Sequence, residues 1–139
     1  MWSRTHSAIV KGLKAERVWQ VWTDVNQWHT WQPDVDHAHL NGAFAVGNSF
    51  VLKPKGGPTV NIEIVRADTN RQFTDLTRFP GARMYGAHEF VVRGDEMEIR
   101  TTMSIEGPLA FVWRKIVAEG VASGMPEQTE RLIAKAANG

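Results

Sequence analysis

Four tryptophans fall within thirteen residues in Val18-Trp19-Gln20-Val21-Trp22-Thr23-Asp24-Val25-Asn26-Gln27-Trp28-His29-Thr30-Trp31. Each indole ring carries a large apolar area and one N–H group that needs a hydrogen-bond acceptor when it is buried. Four such rings are more than one short helix needs for its own packing. The segment therefore predicts either a closed aromatic core or the wall of a cavity.

The same segment predicts two short helices. Val18, Val21, Trp22 and Val25 recur at intervals of three and four residues, which indicates a helix over residues 14–22 with one apolar stripe. Asp24 and Asn26 are plausible caps for a second short helix, which would carry Trp28 and Trp31 and end before Pro33. Residues 2–12 alternate weakly between apolar and polar side chains, which predicts a first strand.

From residue 34 onward the pattern is typical of strands. The candidates are 35–41, 48–54, 59–67, 71–79, 82–93 and 96–106, separated by glycine, proline and asparagine turns. The last of them alternates most regularly, so it predicts a sheet with one buried and one solvated face. Because the connections are short, neighbouring strands are expected to form antiparallel hairpins.

A long helix is predicted after Gly107-Pro108, extending to about residue 137, with a kink at Pro126. The apolar stripe assigned to it comprises Trp113, Ile116, Val117, Val121, Met125, Leu132 and Ala136. Gly120 and Gly124 interrupt this stripe. They indicate either close packing of the helix on the sheet or space left for a ligand.

Composition excludes several classes of protein. At 139 residues the chain is expected to be a single domain, 1–139. A formal net charge of +1, without a basic patch, argues against a nucleic-acid partner. The absence of cysteine excludes disulfides and thiolate metal sites. We find neither an apolar run of roughly 18 residues that would cross a bilayer nor a signal-peptide pattern, so a cytoplasmic protein is expected. Nothing indicates a cofactor, and a homodimer stays open.

The order strand, two short helices, six strands and a long helix resembles the helix-grip fold of the START-like, or SRPBCC, superfamily. The segments that carry the resemblance are Glu16-Arg17-Val18-Trp19, Trp22-Thr23-Asp24-Val25, Trp28-His29-Thr30-Trp31-Gln32-Pro33-Asp34-Val35, Leu40-Asn41-Gly42-Ala43-Phe44-Ala45-Val46-Gly47, Phe79-Pro80-Gly81-Ala82 with His88, and Glu106-Gly107-Pro108-Leu109-Ala110. They are most similar to the bacterial polyketide cyclase/dehydrase-like branch. The resemblance implies an α+β fold: a curved antiparallel sheet of about seven strands around a long C-terminal helix, with a cavity between them.

Strand alternation then predicts which side chains line that cavity. If the apolar set of 96–106 faces inward, strand 82–93 presents Met84, Gly86, His88, Phe90 and Val92, and strand 71–79 presents Phe73, Asp75, Thr77 and Phe79. The opposite register would bury Arg78. The expected ligand-binding residues are Trp28, Trp31, Phe73, Asp75, Thr77, Met84, His88, Phe90, Trp113, Val117 and Val121, a mostly apolar set with a few polar groups.

Two of these residues are the candidates for catalysis. His88 lies in mid-strand among apolar neighbours, and an imidazole can donate or accept a proton near neutral pH. Asp75 shares the inward face of the adjacent strand and is able to orient His88. The alternatives are a buried histidine satisfied by one neighbour, and an aspartate at a wet strand end.

Two further pairs of residues give weaker signals. Tyr85 and Arg83 point outward by alternation, unless a bulge after Pro80-Gly81 turns one of them inward. His37 and His39 share one face of a strand, but Asp34 and Asp36 lie on the other, so a solvated face is predicted and no metal site.

Three functions remain open from the sequence. The first is a carrier that binds a hydrophobic or aromatic small molecule, lipid- or polyketide-like, in the cavity. The second is a polyketide cyclase/aromatase in which His88 and Asp75 transfer protons, so enzymatic activity stays undecided. The third is a protein-interaction module, which predicts an exposed apolar patch in place of an enclosed void.

Overall fold

The computed structural model describes residues 1–138 and shows a seven-stranded antiparallel sheet. In chain order the strands are β1 (Trp2–Lys11), β2 (Val35–Leu40), β3 (Ser49–Pro54), β4 (Val60–Asp68), β5 (Gln72–Phe79), β6 (Ala82–Arg93) and β7 (Glu96–Glu106). Their order across the sheet is β1-β7-β6-β5-β4-β3-β2. The predicted strands are confirmed to within one residue at each end, because glycine and proline turns mark their boundaries.

Helices pack on one face of the sheet. Helix α1 (Ala15–Thr23) is followed by a 3-10 helix (Val25–Thr30). The C-terminal helical region comprises α2 (Ala110–Trp113), a π-helical turn (Arg114–Ala118), α3 (Glu119–Ser123) and α4 (Met125–Ala137). This arrangement confirms the predicted α+β helix-grip fold.

The hairpins β5–β6 and β6–β7 set which side chains face inward. Thr77 pairs with Met84 and Phe73 with His88 in the first hairpin, and His88 pairs with Thr101 in the second. Because paired residues of antiparallel strands point to the same face, one buried set runs across all three strands. The preferred register is confirmed by this burial, except at Val92, which is exposed near the end of β6.

The tryptophan segment closes a core. The ring of Trp22 packs edge-on against the rings of Trp28, Trp31 and Phe73, with centroids 5.3 to 5.6 Å apart. The indole N–H of Trp28 donates to the carbonyl of Trp22 at 3.0 Å. Trp28 and Trp31 are both buried. Of the two alternatives for this segment, the packing of these rings matches the closed aromatic core.

Asn26 attaches the 3-10 helix to the sheet. Its side-chain oxygen accepts from the backbone N–H of Leu40 at 2.8 Å, and its side-chain nitrogen donates to the carbonyl of Leu40 at 3.3 Å. Asp24 stands at the N-cap position without a side-chain capping bond. Of the two predicted caps, Asp24 occupies the N-cap position but makes no capping bond, and Asn26 does not cap the helix but binds the edge strand β2.

The C-terminal helical region differs from the single kinked helix that was predicted. The chain breaks at Gly124, two residues before Pro126, which lies in the first turn of α4. Upstream, the π-helical turn has hydrogen bonds between residues five apart, where an α-helix has them between residues four apart. The extra residue rotates the side chains that follow, so the apolar stripe no longer continues along one face of the helix. The buried positions are Ala118, Ala122, Met125, Thr129, Leu132 and Ala136.

Three residues of the predicted stripe region consequently face solvent. Ile116 is 65% exposed and Val121 is 42% exposed. Gly120 is also exposed, and a Cβ added there would meet nothing within 4 Å. Gly120 therefore neither permits close packing on the sheet nor opens a groove beneath the helix, and both interpretations of it were wrong.

None of the helices in residues 1–138 has the length and apolar character that a membrane span requires.

We expect Gly107→Ala to destabilise the protein, by about 2 kcal/mol or more. Gly107 joins β7 to the C-terminal helical region with a φ of 120°, and a Cβ there would approach the carbonyl oxygen of Gly81 to 2.5 Å. The measurement is the free energy of unfolding in urea. Gly120→Ala is the matched control, and it should stabilise by roughly 0.5–1 kcal/mol because the site is helical and open. Equal effects in both variants would contradict this account of the junction.

Candidate functional site

The inner face of the sheet carries a polar pair within an apolar surround. The predicted residues of β5 and β6 lie there together: Phe73, Asp75, Thr77, Met84, His88 and Phe90. Asp75 is half-buried and the other five are buried. The hairpin register therefore assembles these six predicted residues into one surface.

His88 is held between two aromatic rings. The ring of Phe73 stacks on the imidazole at 4.5 Å with an interplanar angle of 24°, and the ring of Trp22 lies 4.6 Å away at 51°. These contacts leave the imidazole little freedom to turn. The residue is 6% exposed, so its ring lies inside and not on the outer face of the sheet.

Asp75 lies beside this imidazole. Its Oδ2 is 3.4 Å from Nε2 of His88, and the two side chains are 18% and 8% exposed respectively. A carboxylate beside Nε2 favours the tautomer that carries its proton on that nitrogen and its lone pair on Nδ1. The pair is thus arranged with Asp75 as the orienting group and Nδ1 as the free basic atom.

Gly86 makes room for the pair. It lies directly opposite Asp75 across the β5–β6 hairpin, two residues before His88. A Cβ at position 86 would lie 2.9 Å from Oδ1 of Asp75 and 3.3 Å from Nε2 of His88. The missing side chain is the reason that a carboxylate and an imidazole can meet on this face. The sequence signal was a glycine in the middle of a strand, which typically marks a close approach of other groups.

Buried polar atoms without partners occur in His88 itself and in Trp22, which contacts it. In residues 1–138, three buried side-chain atoms have no hydrogen-bond partner: Nε1 of Trp22, Nε2 of Gln32 and Nδ1 of His88. Native structures contain few such atoms, because each costs desolvation free energy. Gln32 also accepts a bond at Oε1 from Gln128 of α4, at 3.0 Å. The three- and four-residue spacing placed Trp22 on the apolar stripe of α1 but carried no signal of its contact with His88.

Of the three predicted site residues in the C-terminal helical region, Trp113 and Val117 are half-buried and Val121 is exposed. Trp113 is half-buried, stacks on Phe79 at 4.6 Å, and donates its indole N–H to the carbonyl of Pro80 at 2.8 Å. Val117 is half-buried against the apolar cluster of β6 and β7. Val121 faces solvent, so its predicted place on the inner wall was wrong, because of the phase change at the π-helical turn.

Tyr85 and Arg83 lie on the outer face. Both side chains contact Oε1 of Glu106, Tyr85 through its hydroxyl at 3.4 Å and Arg83 through Nη2 at 3.2 Å. The β5–β6 pairing continues through Phe79 and Ala82 without a register shift. No bulge therefore turns either side chain inward.

The two predicted histidines of β2 are exposed. His37 and His39 lie at the edge of the sheet, and Nδ1 of His37 is 3.9 Å from Oδ2 of Asp36. Within the described part of the chain, no three histidine, aspartate or glutamate side chains are grouped as a metal site requires.

The resolved electrostatic effects lie on the outer face, away from the polar pair. A hydrogen bond from Arg100 lowers the pKa of Glu98, and the same contact raises the pKa of Arg100. Glu98 also accepts from Arg93 at 3.0 Å. These arginine and glutamate side chains pair with one another in a solvated network on the outer face, away from the inner face.

Two grooves open at the surface beside α1 and α4. One, of about 330 Å³, is lined by Arg17, Gln20, Val21, Asp24, Gln27, Trp31 and Lys135. The other, of about 310 Å³, lies between the β1–α1 turn and the end of α4. Trp31 is the one predicted site residue that borders either groove. Both grooves are separate from the inner face that carries His88.

Comparison with known proteins adds to this description. A family model described as polyketide cyclase/dehydrase and lipid transport matches residues 1–137. No curated protein matches the chain.

Three solved structures illustrate the similarity of fold. A protein from Mesorhizobium loti is 16% identical with a TM-score of 0.73, over 97% of this chain and 98% of its own. Norcoclaurine synthase from Thalictrum flavum, solved with dopamine and hydroxybenzaldehyde, is 13% identical with a TM-score of 0.72, over 96% and 87%. A START superfamily protein from Mycobacterium smegmatis is 13% identical with a TM-score of 0.65, over 96% and 92%.

We expect Gly86→Ala to separate Asp75 from His88. The added methyl group would overlap the carboxylate, so the free energy of unfolding should fall by about 1–3 kcal/mol. A double-mutant cycle with Asp75→Ala gives the test, since most of this cost should disappear once the carboxylate is gone. An undiminished cost of Gly86→Ala in the Asp75→Ala background would show that the glycine serves another contact.

Proposed function

Since the chain belongs to the polyketide cyclase/dehydrase and lipid transport family, we propose that it binds a hydrophobic or aromatic small molecule between the inner face of the sheet and the C-terminal helical region. The observation that carries the proposal is the exposure of Asp75. This carboxylate points to the inner face and still keeps 18% of its side-chain surface accessible. The carboxylate of the polar pair is therefore accessible to a molecule of the size of water.

The composition of the surrounding wall supports an apolar ligand. Met84, Phe90 and Phe73 lie on the same inner face as the pair, and Trp113 and Val117 of the C-terminal helical region pack against the cluster that contains Met84. A small number of polar groups within an apolar lining is the usual composition of a small-molecule site. The apolar surface would supply the affinity, and Asp75 with His88 would orient the ligand.

The shared fold offers an analogy for the class of ligand. The norcoclaurine synthase structure contains dopamine and hydroxybenzaldehyde, two small aromatic compounds, on the same architecture. At 13% identity this similarity extends to the fold alone. It supports the proposal only by showing that this architecture accommodates aromatic molecules of that size.

Two matched variants test where the ligand lies. Val117→Trp would add an indole ring where the π-helical turn packs on the sheet, whereas Val121→Trp adds the same ring one turn later on the solvated side. We expect the first to weaken binding of the neutral dye N-phenyl-1-naphthylamine by about tenfold, or 1.4 kcal/mol, and the second to change it less than about twofold. Dye fluorescence measures the affinity, and 1-decanol serves as a non-fluorescent competitor.

Each outcome of this titration bears on the proposal. Equal weakening by both tryptophans would place the ligand elsewhere. No binding of dye or competitor to the unmodified protein would contradict the proposal. It would favour the protein-interaction alternative, for which the exposed side chains of Phe111 and Ile116 provide an apolar surface.

The contact between His88 and Asp75 favours a second candidate function, a polyketide cyclase/aromatase. Nδ1 of His88 would take the proton from a carbon that lies between two ketones of the bound chain. The resulting enolate carbon would attack another ketone of the same chain, and the imidazolium would return its proton to the alkoxide formed. Asp75 would stabilise the imidazolium during this sequence, as a buried carboxylate does for a catalytic histidine.

Turnover by the wild-type protein and the His88→Gln variant tests this second function. With a linear poly-β-ketone substrate, we expect His88→Gln to lower kcat by about 100-fold or more while dye affinity changes little. Asp75→Asn should lower kcat by a smaller factor, since it removes the orienting charge and not the base. Product formation followed by mass spectrometry is the measurement. Binding without turnover in the wild-type protein would leave the carrier as the function.

A further inference from the structure

Two of the unpartnered buried nitrogens belong to rings in contact with each other. The rings of Trp22 and His88 lie 4.6 Å apart, and neither Nε1 of Trp22 nor Nδ1 of His88 has a hydrogen-bond partner in residues 1–138. Both residues are more than nine-tenths buried. Both nitrogens thus belong to rings packed together at the inner face of the sheet, and neither is satisfied by the described protein atoms.

The two nitrogens require different partners. An indole N–H is a donor only, so Trp22 needs an acceptor. Asp75 lies against Nε2 of His88 and favours the proton there, so Nδ1 offers a lone pair and needs a donor. One group that accepts and donates at once would satisfy both atoms; a water molecule is of this kind, and so is the hydroxyl group of a ligand.

We propose that Trp22 and His88 together bind a hydroxyl group, phenolic, enolic or alcoholic, of an otherwise apolar ligand. This inference rests on the proposed function and names the polar group that the site would recognise. The hydroxyl oxygen accepts from Nε1 of Trp22, and its hydrogen is donated to Nδ1 of His88. The ligand's apolar body then lies along the inner face of the sheet.

Other polar groups fit less well. A ketone or ether oxygen accepts from Trp22 but presents a lone pair to Nδ1, so one buried atom stays unsatisfied. A carboxylate would add a second negative charge beside Asp75 in a largely buried site, where like charges are costly. An aromatic hydroxyl suits the surroundings in addition, because Phe73 and Trp22 supply ring surfaces next to the imidazole.

Three naphthalene probes of matched shape test the inference. 2-Naphthol donates and accepts a hydrogen bond, 2-methoxynaphthalene only accepts, and 2-methylnaphthalene does neither. By titration calorimetry we expect 2-naphthol to bind about tenfold more tightly than 2-methylnaphthalene, with the methoxy compound between them, since buried hydrogen bonds contribute factors of this size.

Two variants keep an aromatic ring and remove one nitrogen each. Trp22→Phe and His88→Phe should each reduce the preference for 2-naphthol over 2-methylnaphthalene to about twofold or less. Trp19→Phe is the matched control, because it makes the same change in the same aromatic cluster, where Trp19 contacts Phe44, Phe73 and Phe90. It should retain the preference of the wild-type protein.

A spectroscopic measurement covers the case in which a variant fails to fold. In the wild-type protein, the indole N–H signal of Trp22 should move downfield on titration with 2-naphthol and much less with 2-methylnaphthalene. Equal affinities for all three probes, or an unmoved Trp22 signal at saturation, would overturn the hydroxyl inference and leave the proposed function standing. If no naphthalene probe binds and N-phenyl-1-naphthylamine also fails to bind, the proposed function itself fails.

Discussion

The packing of Trp22 against the inner face of the sheet is the contact on which the rest of this structure depends. Its ring meets Trp28 and Trp31 on one side, and Phe73 and His88 on the other. A buried indole of this size contributes several kcal/mol through its apolar area alone. The same ring joins α1 to β5 and β6 and fixes one wall of the candidate site. Core stability and site geometry are therefore supplied by one side chain.

The second constraint is the register of β5 and β6. Antiparallel pairing places Asp75 opposite Gly86, and the two-residue repeat of a strand brings His88 to the same face. A slip of one residue would turn the imidazole to solvent and bury Arg78. The ion pair between Arg78 and Glu63 on the outer face, at 2.9 Å, agrees with the observed register. The polar pair thus follows from the requirement that apolar side chains of both strands be buried together.

The π-helical turn at Arg114–Ala118 differs from the strand register, because no pattern in the sequence predicts it. It rotates the following helix so that Ala118 and Ala122 meet the sheet while Ile116 and Val121 face water. Small side chains at the contact let the helix approach closely, and Val117 remains half-buried at its edge. The small alanine side chains thus take the contact with the sheet, and the larger apolar side chains of Ile116 and Val121 stay exposed. Single π-helical turns of this type occur frequently at functional sites.

The sequence alone determined the strands, the antiparallel pairing of consecutive strands from β2 to β7, and which face of β5, β6 and β7 is buried, because periodicity and turn residues act locally. It also placed Asp75 and His88 on one face. The tertiary structure alone decided that the tryptophans fill a core, that Gly86 makes room for the carboxylate, and that Trp22 meets the imidazole. These results depend on packing between elements that are distant in the chain. The exposure of Val121 depends in the same way on the extra residue in the π-helical turn, which leaves no local pattern in the sequence.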